Sequence, residues 1–419
     1  MICVECVNIE SIKSFVNKIG AKAQCKYCEK ENISADIEAV FTKIEEQASD
    51  VLRPVEELSS MERGLIFECG SSEPPVFAAF EFFEEFLCED AANELMDWLP
   101  DNYNQTSEGH DALFALDDGT LEENEITYEW DRFIEGVNHG YRYFNQGSSR
   151  FLDKIFETIS TDGKLRPEVV KSFGNGDKFY RARLANTHKD IKSIEAQPHK
   201  ELGPVPKEFA GSQRMTPAGI SAMYCALDRS TCLSELRPIV GDTVISAEFK
   251  PTSKLKFLDL SKLEKLNTGN MDELSVGFRQ HANVCEFLKD MVFNLSKPLA
   301  RQDELGYLST QVFFEYLRVK YHHEVDGVFF PSVQCDGQDH NIALFPESSS
   351  VLSVDGKVKV FVTPDTDFPN DRVPKFQVVD KSLIFHKIKS VSVESDDEPD
   401  SFKLVTDEDT LKKIYGRRT

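Results

Sequence analysis

Two Cys-x-x-Cys pairs near the start of the chain, Cys3/Cys6 and Cys25/Cys28, constrain its folding more than any other feature. Each pair makes a tight knuckle that aims two thiolates at one point. Two such knuckles complete a tetrahedral zinc site with no open position, which is a structural arrangement and not a catalytic one. The eighteen residues between the pairs carry Ile12, Phe15, Val16 and Ile19 at the spacing of one short amphipathic helix. Residues 1–34 are therefore predicted to form a zinc ribbon, with Cys3, Cys6, Cys25 and Cys28 as the metal ligands. The other six cysteines, Cys69, Cys88, Cys225, Cys232, Cys285 and Cys335, have no ordered spacing and read as small buried hydrophobes.

A chain of 419 residues suggests two or three domains. No apolar run reaches eighteen residues, so no membrane-spanning helix is expected. The opening Met1-Ile2-Cys3 lacks a basic region followed by an apolar stretch, so a cytoplasmic location is expected and a disulfide framework is not. The net charge of −24 argues against a general nucleic-acid binder. It leaves room for a local cleft in which a few cations hold a pyrophosphate.

Between residues 35 and 160 the pattern is helical. Ile33, Ile37, Val40, Ile44 and Val51 recur at helical spacing. After Pro74-Pro75, a second stripe runs from Val76 through Phe80, Phe83 and Leu87 toward Leu95 and Trp98. An acidic loop, Asp117-Asp118-Gly119, precedes a third stripe of Trp130, Phe133, Ile134 and Val137. Residues 161–176, rich in Gly, Pro and Asp, read as a linker. Beyond them strands alternate with helices. Thr243–Phe249, Leu255–Leu260 and Val328–Phe330 read as strands, and Phe278–Leu295 and Leu305–Val319 as helices. Residues 351–419 read as a β appendage, with Val358, Val360 and Val362 alternating, Leu383-Ile384-Phe385 leading to Val391 and Val393, and Glu394–Asp400 as an acidic hairpin loop.

Several short motifs with chemical potential follow in order. Phe179-Tyr180-Arg181-Ala182-Arg183 offers two guanidinium groups on one strand face. Gly211-Ser212-Gln213-Arg214-Met215-Thr216-Pro217-Ala218-Gly219 places Arg214 in a loop, and Tyr224 follows. Thr231-Cys232-Leu233-Ser234-Glu235 carries a carboxylate, and Phe329-Phe330-Pro331-Ser332-Val333 a hydroxyl. Asn341-Ile342-Ala343-Leu344-Phe345 closes the series.

This order, spanning roughly residues 177–346, resembles the RES-domain family, named for its arginine, glutamate and serine. The resemblance implies an ADP-ribosyltransferase-like fold acting on NAD, in a family with many bacterial toxins that degrade NAD. By residue, it implies Glu235, Arg181, Tyr224 and Ser332 as catalytic, and Arg181, Arg183, Arg214, Tyr224, Ser332 and Asn341 as binding NAD. Met215 departs from the family's Gly-Arg-aromatic turn, and Ser212-Gln213 intervene. The front half resembles the helical HEPN-like module found ahead of some RES domains. Arg132 and His139 meet the spacing of HEPN ribonucleases, but Gly136 and Gly140 weaken the helix between them, and both residues are expected to be scaffold.

The expected fold class is α+β. A zinc ribbon (1–34), a helical HEPN-like module (35–160) and a linker (161–176) precede a mixed α/β RES domain (177–350) and a C-terminal β extension (351–419). The expected activity is cleavage of the nicotinamide–ribose bond of NAD by a glycohydrolase or phosphorylase, as a toxin or defence effector. The alternatives are an ADP-ribosyltransferase with a macromolecular target and a non-enzymatic partner-binding protein. Zinc is the expected structural metal and NAD the substrate. An antitoxin or regulatory protein is the expected restraint, no membrane or nucleic acid is expected as a partner, and homo-oligomerisation stays open.

Cleavage of NAD at nicotinamide breaks a C–N glycosidic bond and puts positive charge on the ribose, as in glycoside hydrolysis. Glu235 is suited to accept from a ribose hydroxyl and to offset that charge. Arg181, Arg183 and Arg214 offer planar forks for phosphate. Tyr224 offers a face for nicotinamide, and Ser332 a hydroxyl for the amide or a ribose oxygen. No Gly-x-Ser-x-Gly elbow surrounds Ser332, so it does not read as a nucleophile. Asn341 is expected to buttress the loop, and His340 has no assigned role.

Overall fold

The computed structural model describes residues 1–60, 63, 76–119, 121, 125–296, 305–332, 339–352 and 374–391. Pro74-Pro75, Cys69, Cys335, the alternating Val358–Val362, Val393 and the Glu394–Asp400 run lie outside them.

The N-terminal ribbon is a three-stranded antiparallel sheet of β1 (Ile2–Cys3), β2 (Ala21–Gln24) and β3 (Glu31–Ala35), in the order β1-β3-β2. The expected short helix, α1 (Glu10–Ile19), joins β1 to β2 and buries Ile12 and Val16. Asp36 starts α2 (Ile37–Val51) by accepting from the Ala39 amide at 3.2 Å. Val40, Phe41, Ile44, Ala48 and Val51 form its buried stripe, while Ile33 belongs to β3 instead.

The stripe from Val76 to Trp98 is not one helix. It divides into β5 (Val76–Ala78), α3 (Ala79–Glu84) and α4 (Glu89–Trp98). Backbone competition explains the break. The Asn8 amide donates to the Phe86 carbonyl at 2.7 Å, and the Cys88 amide to the Cys6 carbonyl at 3.1 Å. The ribbon thus takes the hydrogen bonds that a continuous helix would need. With β4 (Leu52–Pro54) and β6 (Leu113–Leu116), β5 forms a small antiparallel sheet in the order β4-β6-β5.

A helical hairpin follows, α5 (Glu125–His139) and α6 (Gln146–Thr158). The segment expected as a linker carries a two-stranded ribbon, β7 (Ser160–Thr161) with β8 (Lys164–Leu165), and then β9 (Val170–Phe173) at the edge of the main sheet.

The rest of the main sheet comprises β10 (Phe179–Leu184), β11 (Met223–Ala226), β12 (Thr243–Pro251), β13 (Leu255–Asp259), β14 (Gly327–Pro331), β15 (His340–Leu344), β16 (Val351–Leu352), β17 (Phe376–Val378) and β18 (Ile384–Lys387). Their order is β16-β17-β12-β10-β11-β15-β14-β13-β9, with β18 also on β12. The β13/β14 and β16/β17 pairs are parallel and the others antiparallel. The strands after residue 350 therefore continue the main sheet along β12. Gly327 is required where β14 meets β15, because a Cβ there would lie 2.0 Å from the Ala343 carbonyl oxygen. The fold is mixed α/β, as expected.

Four short helices interrupt the strands: α7 (His188–Ala196), α8 (Pro198–Glu201), α9 (Arg229–Glu235) and α10 (Leu260–Leu263). Two long ones, α11 (Phe278–Ser296) and α12 (Leu308–Tyr321), cover one face of the sheet. The α5–α6 hairpin packs on the same core. Trp130 meets Phe287 at 5.4 Å between ring centroids, and Phe156 meets Phe313 at 5.6 Å. The start of α11 and the segment before it reach the other way: Leu274, Phe278 and Ala282 join the core of residues 2–114. Among the described residues no helix is long and apolar enough to cross a membrane.

Asp117 secures this junction. It is 3% exposed and meets Arg279 at 2.9 Å and Arg53 at 3.7 Å, while Asn283 donates to it at 3.3 Å. Gly119 lies beside it with φ +92, where a Cβ would strike the Ala282 carbonyl oxygen at 2.8 Å. Asp117→Ala leaves two partly exposed guanidiniums and a buried amide without their shared acceptor. The expected loss is about 1–3 kcal/mol. Chemical denaturation of the two proteins checks it, and an unchanged transition would show that Asp117 does not secure the junction.

Candidate functional site

Glu235 meets Ser332 and Asn341 although 97 and 106 residues separate it from them in sequence. Ser332 Oγ donates to Glu235 Oε1 at 2.7 Å, and Asn341 Nδ2 donates to the same oxygen at 2.6 Å. Ser332 is 1% exposed and Asn341 6%, whereas Glu235 is exposed. The carboxylate thus leans on two buried donors through one oxygen. Among the described residues Oε2 takes no side-chain hydrogen bond.

Local structure places each member. β14 ends at Pro331, and the Ser332 amide donates to the Asp339 carbonyl at 2.7 Å, just ahead of β15. Asn341 is the second residue of β15, opposite Ala226 of β11. From β11 the chain enters α9 through Asp228, whose Oδ1 accepts from the Thr231 amide at 2.9 Å. Burial works against charge on Asp228, but hydrogen bonds from Ser230 and Thr231 outweigh it and hold the carboxyl below the usual range. Thr231 Oγ1 donates to Asp339 Oδ2 at 2.8 Å, tying α9 to the residue whose carbonyl accepts from Ser332. Glu235 is the last residue of α9.

Arg181 enters from β10. The β10/β12 ladder pairs six residues and the β11/β15 ladder four, but β10 and β11 share only Tyr180 opposite Ala226. Beyond that pair the two strands part. The Arg181 guanidinium bridges the parting by donating from Nη1 to the Tyr224 carbonyl at 3.4 Å. Burial lowers its pKa, and no carboxylate among the described residues pairs with it. A guanidinium without a carboxylate partner keeps donors to offer an anion.

Tyr224 and Arg214 are linked. The Met215 amide donates to the Tyr224 hydroxyl at 3.1 Å, and Gln311 Nε2 donates to the Gln213 carbonyl at 2.8 Å. These bonds hold the Gly211–Gly219 loop, and Arg214 lies over the Phe330 ring at 5.9 Å. Burial raises the Tyr224 pKa, so its hydroxyl stays a proton donor. Arg183 behaves differently. It is exposed and ion-paired with Glu201 of α8, whose other oxygen accepts from Ser193 at 3.0 Å.

Three polar residues near α9 were not singled out from sequence. Arg229 lies 4.8 Å over the Tyr180 ring and donates to Ser246 Oγ at 2.5 Å. His386 of β18 is 2.8 Å from the same hydroxyl. Asp339 holds Thr231. Only the Asp228-x-x-Thr231 capping pattern was a readable sign of any of these contacts. His340 stacks on Phe329 at 4.6 Å, and burial lowers its pKa. Arg132 and His139 of the HEPN-like spacing are both exposed on α5.

At the other end of the chain the four N-terminal thiols converge, with all sulfurs within 4.8 Å of one another. Cys3 and Cys28 are 3.6 Å apart, and Cys6 and Cys25 3.7 Å. Sulfurs on a tetrahedron around zinc stand about 3.8 Å apart, from a Zn–S length of about 2.3 Å. Burial raises the pKa of Cys25, but amides of Cys28, Tyr27 and Cys3 outweigh it and bring it to about 6. Burial and the neighbouring thiols raise Cys6 instead. These residues are close enough to hold a metal ion.

The Arg, Glu and Ser motifs lie on the main sheet or beside it, and Glu235 and Ser332 are in contact. Residues 179–369 match the family model described as RES domain. This part of the chain is a RES domain, a family linked to NAD-utilising toxins. No curated protein and no solved structure matches the chain.

Tyr224→Phe removes the acceptor for the Met215 amide while keeping the ring. The expected loss is about 1 kcal/mol, with faster tryptic cleavage after Arg214. Thermal melting and limited proteolysis check this, and unchanged cleavage would show that the loop is held without Tyr224.

Proposed function

We propose that the protein consumes NAD by cleaving its nicotinamide–ribose bond, with water or phosphate as acceptor, and that it acts as a toxin or defence effector. The observation that carries this reading is the Glu235 carboxylate, held on one oxygen by Ser332 and Asn341 and open on the other.

In this reading Arg181 and Arg214 hold the pyrophosphate, and Tyr224 faces the nicotinamide. The free oxygen of Glu235 accepts a hydrogen bond from a ribose hydroxyl. As the C–N bond lengthens, its electron pair leaves with nicotinamide and positive charge grows on the ribose. The fixed carboxylate offsets that charge without having to reorganise, because two buried donors already orient it. The acceptor oxygen then bonds to the ribose carbon and gives up its proton. Arg183, paired with Glu201 at the surface, is the further guanidinium that could reach a phosphate by exchanging that partner. The four thiolates bind one zinc that stabilises the ribbon, and this closed four-cysteine set has no role in the reaction.

Glu235→Gln keeps the side chain's size and removes the charge. NAD turnover should fall by about 10²–10³, with the melting temperature unchanged. Arg181→Ala should mainly raise KM for NAD. Turnover by purified protein, with and without phosphate, provides the measurement. Wild-type turnover in Glu235→Gln would remove the carboxylate's role. An ADP-ribose adduct on a macromolecule would replace hydrolysis with transfer, and no NAD consumption under any acceptor would favour a partner-binding protein.

Metal analysis under reducing conditions should find one zinc per chain. Cys25→Ser should lose it and expose residues 1–40 to proteolysis. Metal-free wild-type protein with an intact ribbon would overturn the zinc assignment.

A further inference from the structure

The turn between α5 and α6 displays three aromatic side chains that nothing among the described residues covers. Tyr141 is 83% exposed, Tyr143 79% and Phe144 101%. Phe144 also has φ +56, a backbone conformation that a bulky residue rarely adopts. Burial does not compensate this strain.

The turn is nevertheless built. The Gly140 amide donates to the Gly136 carbonyl at 3.1 Å, which ends α5. Arg142 reaches back to the Asn138 carbonyl at 3.3 Å, and Asn145 Oδ1 accepts from the Ser148 amide at 3.0 Å, which starts α6. Both ends are pinned, so the aromatics stand out on a fixed loop and lose little entropy on docking. Charge is also unusual here. In a chain of net charge −24, residues 136–150 contain no Asp or Glu but hold Arg142 and Arg150.

A cleft of matching chemistry lies elsewhere on the same molecule, with a volume of about 280 Å³. Phe77, Phe82 and Phe86 line it, and Glu81, Glu85 and Glu273 add carboxylates. Phe77 stacks on Phe82 at 5.8 Å, and Phe86 meets Phe82 edge-on at 4.8 Å. The volume is below the roughly 300–1,000 Å³ of small-molecule sites, but it suits an inserted aromatic side chain. In the single chain the loop stays exposed, so it does not fill its own cleft.

We propose that the Tyr141–Phe144 loop of one copy docks in the Phe77/Phe82/Phe86 cleft of a second copy, with Arg142 against the glutamates. A reciprocal exchange buries both loops and closes a two-fold dimer. Aromatic anchors beside an arginine are the residue types that dominate protein interfaces. The acidic cleft favours this aromatic–cationic loop over any acidic surface of the chain.

Sedimentation velocity of the full chain over a range of concentrations tests the proposal. Wild-type protein should dimerise. Tyr143→Ser with Phe144→Gly should weaken the dimer roughly tenfold or more. Its melting temperature should not fall, because glycine relieves the strained φ. Glu85→Lys should weaken the dimer in the same way. Mixing the loop variant with the Glu85→Lys variant should give tighter association than either alone, since one loop–cleft pair is again intact. A wild-type monomer at all concentrations would overturn the proposal, as would loop variants that dimerise like wild type. Binding of a single-stranded RNA oligonucleotide by a monomeric wild type, lost in the loop variant, would assign the aromatics to nucleic acid and overturn it equally.

Discussion

The RES domain depends on a ladder that stops early. β10 and β11 lie side by side at the centre of the sheet, yet only Tyr180 and Ala226 pair. Central strands ordinarily satisfy each other's amides and carbonyls along their length. Here the Arg181 guanidinium supplies part of what the missing ladder does not, by donating to the Tyr224 carbonyl. In the proposed function this same arginine is the one that meets the pyrophosphate. Structure and chemistry are joined at one side chain.

The rest of the site is arranged around that opening. α9 follows β11 directly and is held by the Asp228 cap and by Thr231 on Asp339. Asp339 is the residue whose carbonyl also fixes the Ser332 amide. Asp339 therefore holds both α9, through Thr231, and the backbone of Ser332. The Arg214 loop is held separately, by Tyr224 and by Gln311 from α12. The α5–α6 hairpin supports α11 and α12 through the ring contacts of Trp130, Phe156 and their partners. The front of the chain is joined to the RES domain through α11, whose first turns enter the ribbon core and whose Arg279 and Asn283 hold Asp117.

Much of this was legible in the sequence. The strands β12, β13 and β14 and the helices α1, α5, α11 and α12 follow from apolar periodicity. The order of the Arg, Glu and Ser motifs led to the RES domain before any contact was visible. The Val76–Trp98 stripe was misleading because periodicity does not register which backbone groups a neighbouring module will claim. Arg181 and Arg183 share one strand face, and their surroundings differ only in the tertiary structure: Arg181 donates to the Tyr224 carbonyl, whereas Arg183 pairs with Glu201. Arg229 and His386 were unreadable as partners of one serine, because His386 and Ser246 are 140 residues apart.

By itself the sequence determined the four-thiol cluster, the positions of β10, β12, β13, β14 and β18 in the main sheet, and the residue types of the site. Those properties are local: a knuckle, a stripe or a motif is complete within a few residues. Tertiary structure alone decided which oxygen of Glu235 is held, which arginine stays without a carboxylate, and where β10 and β11 part. It also left Tyr141, Tyr143 and Phe144 uncovered on a strained turn. These are outcomes of packing between segments far apart in the chain, where the hydrogen-bonding and burial needs of one segment are met or denied by another.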